Sequence, residues 1–271
     1  LTRDAPFDLG QSVRLLTDGR WNPPDFVRHP RILVAGCGTG RELLGATWRW
    51  QPTTVTAFDL SRSSLAYAQR MADDLGMDVE FYQADLLELG DWDREFDVII
   101  CTGVLHHLRD PLDGWRQLVR LLRADGLMLI GLYSQAAREG IASGQAELRR
   151  MRVAPSPDGI RAARAHLAGL ASDHPATACL DLQDFYYVSG CRDMLFHVQE
   201  HQFTIPQIAA ALDRLGLEFL SFDIDPRVRR LCRTLFGLNP GLTEWETMER
   251  LFPRTFLGMY QFWCQKRGYL W

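Results

Sequence analysis

Between residues 31 and 134, short apolar runs alternate with amphipathic stretches of helical period. That alternation confines the segment to βαβ units around a parallel sheet. The first run, Ile32-Leu33-Val34-Ala35, passes directly into Gly36-Cys37-Gly38-Thr39-Gly40 and then a helical stretch over residues 39–50. A second strand is expected at 53–58, where β-branched residues suit a pleated surface, and Ser61 is placed to cap a helix running to residue 75. Further strands are expected at 79–83, 96–101 and 126–133, with Pro111 opening a helix to residue 123. Right-handed crossovers join them.

After the fifth strand a plain doubly wound fold needs one helix, yet the next strand pattern arrives only after residue 204. Helices are expected at 138–152, 160–171 and 191–199, the first two separated by Pro155-Ser156-Pro157-Asp158-Gly159. Residues 204–215 then read as a helix, 218–222 as a strand, and 258–264 as a last strand after an insertion containing Trp245. The expected fold is α/β: a Rossmann-like, doubly wound, seven-stranded, mostly parallel sheet with an antiparallel last strand and a helical cap inserted after strand five. It divides into an N-terminal arm over the site (1–30, with Pro6, Pro23 and Pro24), a cofactor-binding core (31–134), a helical cap or acceptor-binding insertion (135–204) and a C-terminal completion of the sheet (205–271).

The net charge of -4 carries no electrostatic footprint for nucleic acid. Clusters at Arg149, Arg150 and Arg152 and at Arg227, Arg229 and Arg230 read as solvated helix faces. The six cysteines form no Cys-x-x-Cys pair, and Cys101 and Cys264 fall within expected strands, which argues for reduced thiols and a cytoplasmic setting. There is no apolar run long enough to span a bilayer and no basic-then-apolar leader, so no membrane partner is expected. A first residue of Leu1 suits a piece of a longer protein.

Glycine is needed where backbone must turn tightly and lie against a ligand without an intervening Cβ. Gly36-Cys37-Gly38-Thr39-Gly40 is Gly-x-Gly-x-Gly, distinct from the Gly-x-Gly-x-x-Gly of dinucleotide binders and from a phosphate loop. Asp59 ends the second strand, where a carboxylate can accept from both ribose hydroxyls; Asp85 follows the third, where it can accept from an adenine amino group. The plainer reading of each is a carboxylate capping the next helix. Three polar devices at successive strand ends describe one pocket on the carboxyl edge of the sheet.

Residues 32–40, Asp59-Leu60-Ser61, Asp85 and residues 96–107 closely resemble the motifs of class I S-adenosylmethionine methyltransferases, and Gly103-Val104-Leu105-His106-His107-Leu108 followed by Asp110-Pro111 resembles the branch acting on small molecules and some proteins. The resemblance implies S-adenosylmethionine as cofactor. Gly36, Cys37, Gly38, Thr39 and Gly40 would lie at its methionine moiety, Asp59 at the ribose and Asp85 at the adenine; Leu60 and Leu86 would also line the cofactor, and Thr102, Gly103 and His107 would lie beside the sulfur and acceptor. The segments Gly131-Leu132-Tyr133-Ser134, Ala137-Arg138 and 191–201 resemble a bacterial methyltransferase group often joined to tetratricopeptide repeats. No such repeats occur here, so partner binding by them is not carried over.

The implied activity moves a methyl group to an O, N or C atom of a small molecule or a peptide or protein side chain. His106 or His107 can serve as base; the alternative is that one packs on the adenosine and the other bonds a backbone carbonyl. Helical spacing would bring Asp193, His197, Glu200 and His201 onto one stripe, with Arg192 beside it, facing either the acceptor or a buried network. Tyr133, Tyr186 and Tyr187 can add donors and aromatic walls, and Trp21 and Trp245 can line an entrance. His197-Val198-Gln199-Glu200-His201 also matches the His-x-x-Glu-His pattern of zinc hydrolases. Two rival readings therefore stand: a catalytically silent S-adenosylmethionine-binding scaffold, and a metal-dependent hydrolase using His197, Glu200 and His201.

Overall fold

The computed structural model describes residues 9–17, 29–50, 54–196, 200–256 and 258–268. Strand β1 (Arg31–Ala35) buries every residue after Arg31. Leu33 and Ala35 enter the core on one face of the sheet, Ile32 and Val34 the core on the other. Burial on both faces is what a parallel strand sheathed by helices requires. With β2 (Thr54–Asp59), β3 (Glu80–Gln83), β4 (Phe96–Thr102), β5 (Leu122–Tyr133), β6 (Leu217–Phe222) and β7 (Met259–Lys266), it forms a seven-stranded sheet of order β3-β2-β1-β4-β5-β7-β6. Only β7 runs antiparallel, pairing with β5 on one side and β6 on the other.

The helices outside the 135–204 segment are α1 (Leu9–Leu16), α2 (Arg41–Leu44), α3 (Arg62–Leu75), α4 (Pro111–Leu121), α8 (Ile205–Arg214), α9 (Pro226–Phe236) and α10 (Leu242–Leu251). Leu9 and Val13 of α1, Leu43 of α2 and Ala68 and Ala72 of α3 pack on the Ile32 face. Trp115 and Leu118 of α4, Ile208 and Leu212 of α8 and Trp245 and Met248 of α10 pack on the Leu33 face. Trp245 is therefore a core residue against Phe222 and Phe256, not part of an entrance. Trp21 lies outside the described residues. All six cysteines are free and buried.

Residues 135–204 build helices α5 (Glu139–Met151), α6 (Pro157–Ala168) and α7 (Val188–Phe196), with 3-10 turns at Pro175–Asp181 and Gln183–Tyr186. They share a third apolar cluster, including Ile141, Leu148, Leu167, Phe185 and Leu195. Two local expectations change. Pro157 begins α6 instead of breaking it, because a proline at the first helical position gives up an N–H that has no partner there, while Ser156 caps the helix. The stretch expected as one helix at 39–50 has a single α turn in α2 followed by a π turn over Gly45–Arg49.

The position of β7 decides where the insertions lie. Tyr133 pairs with Met259, so β7 starts at the carboxyl edge of the parallel strands; β6 ends there too, at Phe222. Both 135–204 and 223–258 consequently rise from the edge that carries the glycine turn, Asp59 and Asp85, and the ion pair of Arg254 with Asp181 (3.3 Å) joins them.

The opposite edge is held by Asp97. Asp97 is 2% exposed, and its carboxylate accepts from the Arg31 N–H (2.7 Å), the Arg31 guanidinium (3.2 and 3.3 Å) and Arg123 (2.8 Å), linking the starts of β1, β4 and β5. Burial alone would raise its pKa, but the hydrogen bonds from Arg31 and Arg123 outweigh it and hold the carboxyl below its usual value. Asp97→Asn should cost about 2–3 kcal/mol at neutral pH, read by denaturant unfolding. Because the folded-state pKa is depressed, this contribution is present above the unfolded value of about 4 and lost as pH falls through the folded one, so the two proteins should converge in acid.

Candidate cofactor and acceptor site

The turn after β1 is shaped by two glycines. A Cβ on Gly36 would sit 2.3 Å from Val104 Cγ2, at a φ of +67°, so the glycine turn and the loop after β4 touch only because that atom is absent. Gly38 (φ +52°) has no heavy atom within 4 Å of its would-be Cβ, leaving open space above the backbone. The Gly38 N–H donates to Asp59 Oδ2 (2.7 Å) and the Ser61 N–H to Oδ1 (2.8 Å), so Asp59 ties the turn to the end of β2 and keeps lone pairs on both oxygens. Ser61 is the N-cap of α3, as expected. Thr39 is exposed beside the turn, Gly40 is buried at its end, and Leu60 lies 66% exposed next to Asp59.

Cys37 is buried in the turn. Burial first, and the Asp59 charge second, push its thiol up to about 12. Asp85 partly fulfils the plain reading: its Oδ1 caps the 3-10 turn at Leu86–Asp91 by accepting from the Leu87 N–H (2.9 Å). Leu86 places its side chain in the core beneath α4. At the end of β4, Thr102 Oγ1 is buried without a hydrogen-bond partner among the described residues, next to Gly103, whose would-be Cβ also meets open space.

The acceptor side is built around Tyr133. His106 stacks on its ring at 3.6 Å and 25°, and the Arg138 guanidinium lies 3.6 Å from the same ring centre, so the two must occupy opposite faces. Arg138 is fixed by two hydrogen bonds to Glu200 (2.8 and 2.7 Å), with side-chain exposures of 5% and 8%. His107, half-buried, meets Tyr133 edge-on at 5.6 Å and 86°. Burial raises the Tyr133 hydroxyl above its usual pKa; Arg138 opposes this, while Glu200, Asp184 and Asp193 add to it. Tyr133 is thus a hydrogen-bond donor at neutral pH. Beneath it, Ser134 and Tyr260 donate to the buried carboxylate of Glu249, at 2.9 Å and at 2.7 and 2.8 Å.

The single stripe expected over 193–201 does not form. Helix α7 is described over Val188–Phe196, and from Glu200 onward the chain is no longer helical: the His201 N–H donates to His106 O (2.8 Å) and the Phe203 N–H to Tyr133 O (2.8 Å). Pairing with the edge of the site, and the draw of Arg138 on Glu200, hold Glu200 and His201 out of helical geometry. His106 is fully buried, whereas His107 and His201 are both half-buried. Arg192 and Asp193 are exposed on α7, and Tyr186 bonds Leu180 O (2.8 Å) within its own segment. Tyr187 pairs with Asp184. His197 lies outside the described residues, and among these no group of three ligands is placed to hold a metal ion. With Glu200 committed to Arg138, and Glu200 and His201 off the helix, the hydrolase reading loses its base and its ligand geometry. Arg138 was marked in the sequence only as part of the Ala137-Arg138 resemblance and not as a site residue, because its partner Glu200 lies 62 positions away.

Residues 32–126 match the family model of the methyltransferase domain. That match and the order of the sheet are those of the class I S-adenosylmethionine-dependent methyltransferases. An uncharacterized protein of Synechococcus sp. is 31% identical over 227 residues, covering 79% of this chain and 53% of its own. A ubiquinone biosynthesis O-methyltransferase of Pseudomonas entomophila is 32% identical over 97 residues, 35% of this chain and 41% of its own. PKMT2 from Rickettsia typhi, a structure also known in complex with AdoHcy, shares the fold over 97% of this chain and 54% of its own, with a TM-score of 0.71 at 16% identity. The chain thus spans about half the length of these relatives.

S-adenosylmethionine is the cofactor of this class, and open backbone at Gly38 and Gly103, the spare lone pairs of Asp59 and the unpartnered Thr102 Oγ1 suit it. Gly38→Ala should shift stability by only about 1–2 kcal/mol, the cost of a side chain at positive φ. The same methyl group should weaken S-adenosylhomocysteine binding at least tenfold, read by titration calorimetry, by entering the space above the turn.

Proposed function

We propose that this chain transfers the methyl group of S-adenosylmethionine to an O, N or C atom of a small molecule or of a peptide or protein side chain bound between the ends of β4 and β5 and the 135–204 segment. That segment acts as the cap and acceptor-binding insertion, and residues 1–30 as the arm over the site. The observation that carries the reading is the convergence, on one sheet edge, of open glycine backbone, the Asp59 carboxylate and the aromatic stack of His106, Tyr133 and Arg138. The free buried thiols are in keeping with a cytoplasmic setting.

When bound, the cofactor supplies an electrophilic methyl group on its sulfonium. The chain's tasks are alignment, exclusion of water and, for hydroxyl or carbon acceptors, removal of a proton. Asp59 accepts from the ribose hydroxyls while holding Gly38, Leu60 covers the base, and Asp85 uses the oxygen left over from capping to accept from the adenine amino group. Tyr133, stacked on both faces, donates its hydroxyl to the acceptor and keeps it in line. His107 receives the proton. His106 is the inner support of Tyr133, and His201 bonds it through the backbone.

Titration with S-adenosylhomocysteine tests the cofactor half: tight binding should fall by about 2–4 kcal/mol in Asp59→Ala, from the loss of charge-assisted hydrogen bonds. No binding by folded wild-type protein would overturn the reading. Once an acceptor is in hand, His107→Gln should lower kcat, read from initial rates, without changing this affinity.

A further inference from the structure

The connection 223–258 carries a helix unlike the others. Helix α9, Pro-Arg-Val-Arg-Arg-Leu-Cys-Arg-Thr-Leu-Phe, holds four arginines and no acid. Its Cys232 is buried against the sheet, while Leu231 and Leu235, one turn apart on the outer face, are 42% and 49% exposed. Leu238, just past the helix, is 79% exposed. Arg227, one turn before Leu231, and Arg230 are exposed alongside. Arg229 instead turns to the carbonyls of Phe222 and Ile224. The nearest acids precede the helix, where Asp225 caps it and Asp223 is exposed, and Glu244 lies on α10 near Cys232. At the end of α10, Arg250, Leu251 and Phe252 are again an exposed cation beside exposed apolar side chains.

Leucines left half in water are a cost unless something covers them, and arginines on the same face specify what does. Phosphates of a nucleic acid would engage the guanidinium groups but leave a row of leucines uncovered; aliphatic side chains between guanidinium groups suit a bilayer surface, where leucines enter the acyl boundary and guanidinium groups meet phosphates. The chain as a whole carries -4, so a basic face also orients it toward an anionic surface. We propose that α9 docks flat on an anionic lipid bilayer through Leu231, Leu235 and Leu238, with Arg227 and Arg230 against the headgroups. Since α9 rises from the carboxyl edge of the sheet, the bilayer would lie on the side of the molecule that holds the acceptor site. The lack of a spanning run, from which no membrane partner was expected, does not bear on surface docking.

Flotation of the full chain with vesicles tests this independently of methyl transfer. Binding is expected to phosphatidylcholine vesicles containing about one-third phosphatidylserine, to fall as salt is raised, and to be negligible with phosphatidylcholine alone. Arg227→Glu with Arg230→Glu, and separately Leu231→Gln with Leu235→Gln, should each weaken it at least about tenfold while thermal stability and S-adenosylhomocysteine binding stay as in the wild type. Absence of binding, equal binding to neutral vesicles, or undiminished binding by either variant would overturn the proposal. So would self-association abolished by the leucine variant without vesicle binding, which assigns the face to a second copy, or retention of RNA in place of vesicles, which assigns the arginines to nucleic acid.

Discussion

One antiparallel strand organises the molecule. By lying between β5 and β6, β7 brings the chain back to the carboxyl edge before its last crossing of the sheet, and so forces the 223–258 connection onto the edge where 135–204 already stands. A wholly parallel sheet would send that connection down one face as a crossover helix. Here the amino edge is closed by the Asp97 hub, and the two long insertions rise from the other end. A rigid, two-faced sheet thus carries one crowded rim.

Within that rim, order comes from stacking and from extended pairing. Tyr133 is held by His106 on one face and Arg138 on the other, and Arg138 is neutralised by Glu200. An isolated buried guanidinium is prohibitively costly, and its pairing to a carboxylate is worth most for the geometry it fixes. Glu200 belongs to the strand-like segment whose backbone joins His106 and Tyr133, so the same few residues close the cap onto the sheet and set the aromatic wall. Glu249 below, raised in pKa by burial and satisfied by Tyr260 and Ser134, anchors the turn from which Arg138 departs.

The sheet was legible because its information is local. Each parallel strand is a short apolar run followed by a turn residue with one conformational job, as at Gly36 or Ser61, and strand boundaries fell within a few residues of those read from the sequence. The same holds for the cofactor half of the site, which sits at strand ends. The acceptor half was not, because its contacts join residues far apart in sequence. The pairing of Glu200 with Arg138 and of His201 with His106 overrode a helical spacing that looked sound over 193–201. Trp245 misled for a related reason: an aromatic residue within an insertion looks like a wall until the fold shows it packing on β6.

The buried thiol of the glycine turn has a consequence of its own. A sulfonium is an alkylating agent, and the strongest nucleophile the turn carries is Cys37, in the loop proposed to receive the methionine end. A thiolate there would compete with the true acceptor and end as S-methylcysteine, each such event removing one enzyme molecule from use. With the thiol held up to about 12, roughly one chain in a hundred thousand carries the reactive anion at neutral pH. Burial first, and the nearby Asp59 carboxylate second, would thus shield the turn from an alkylating cofactor.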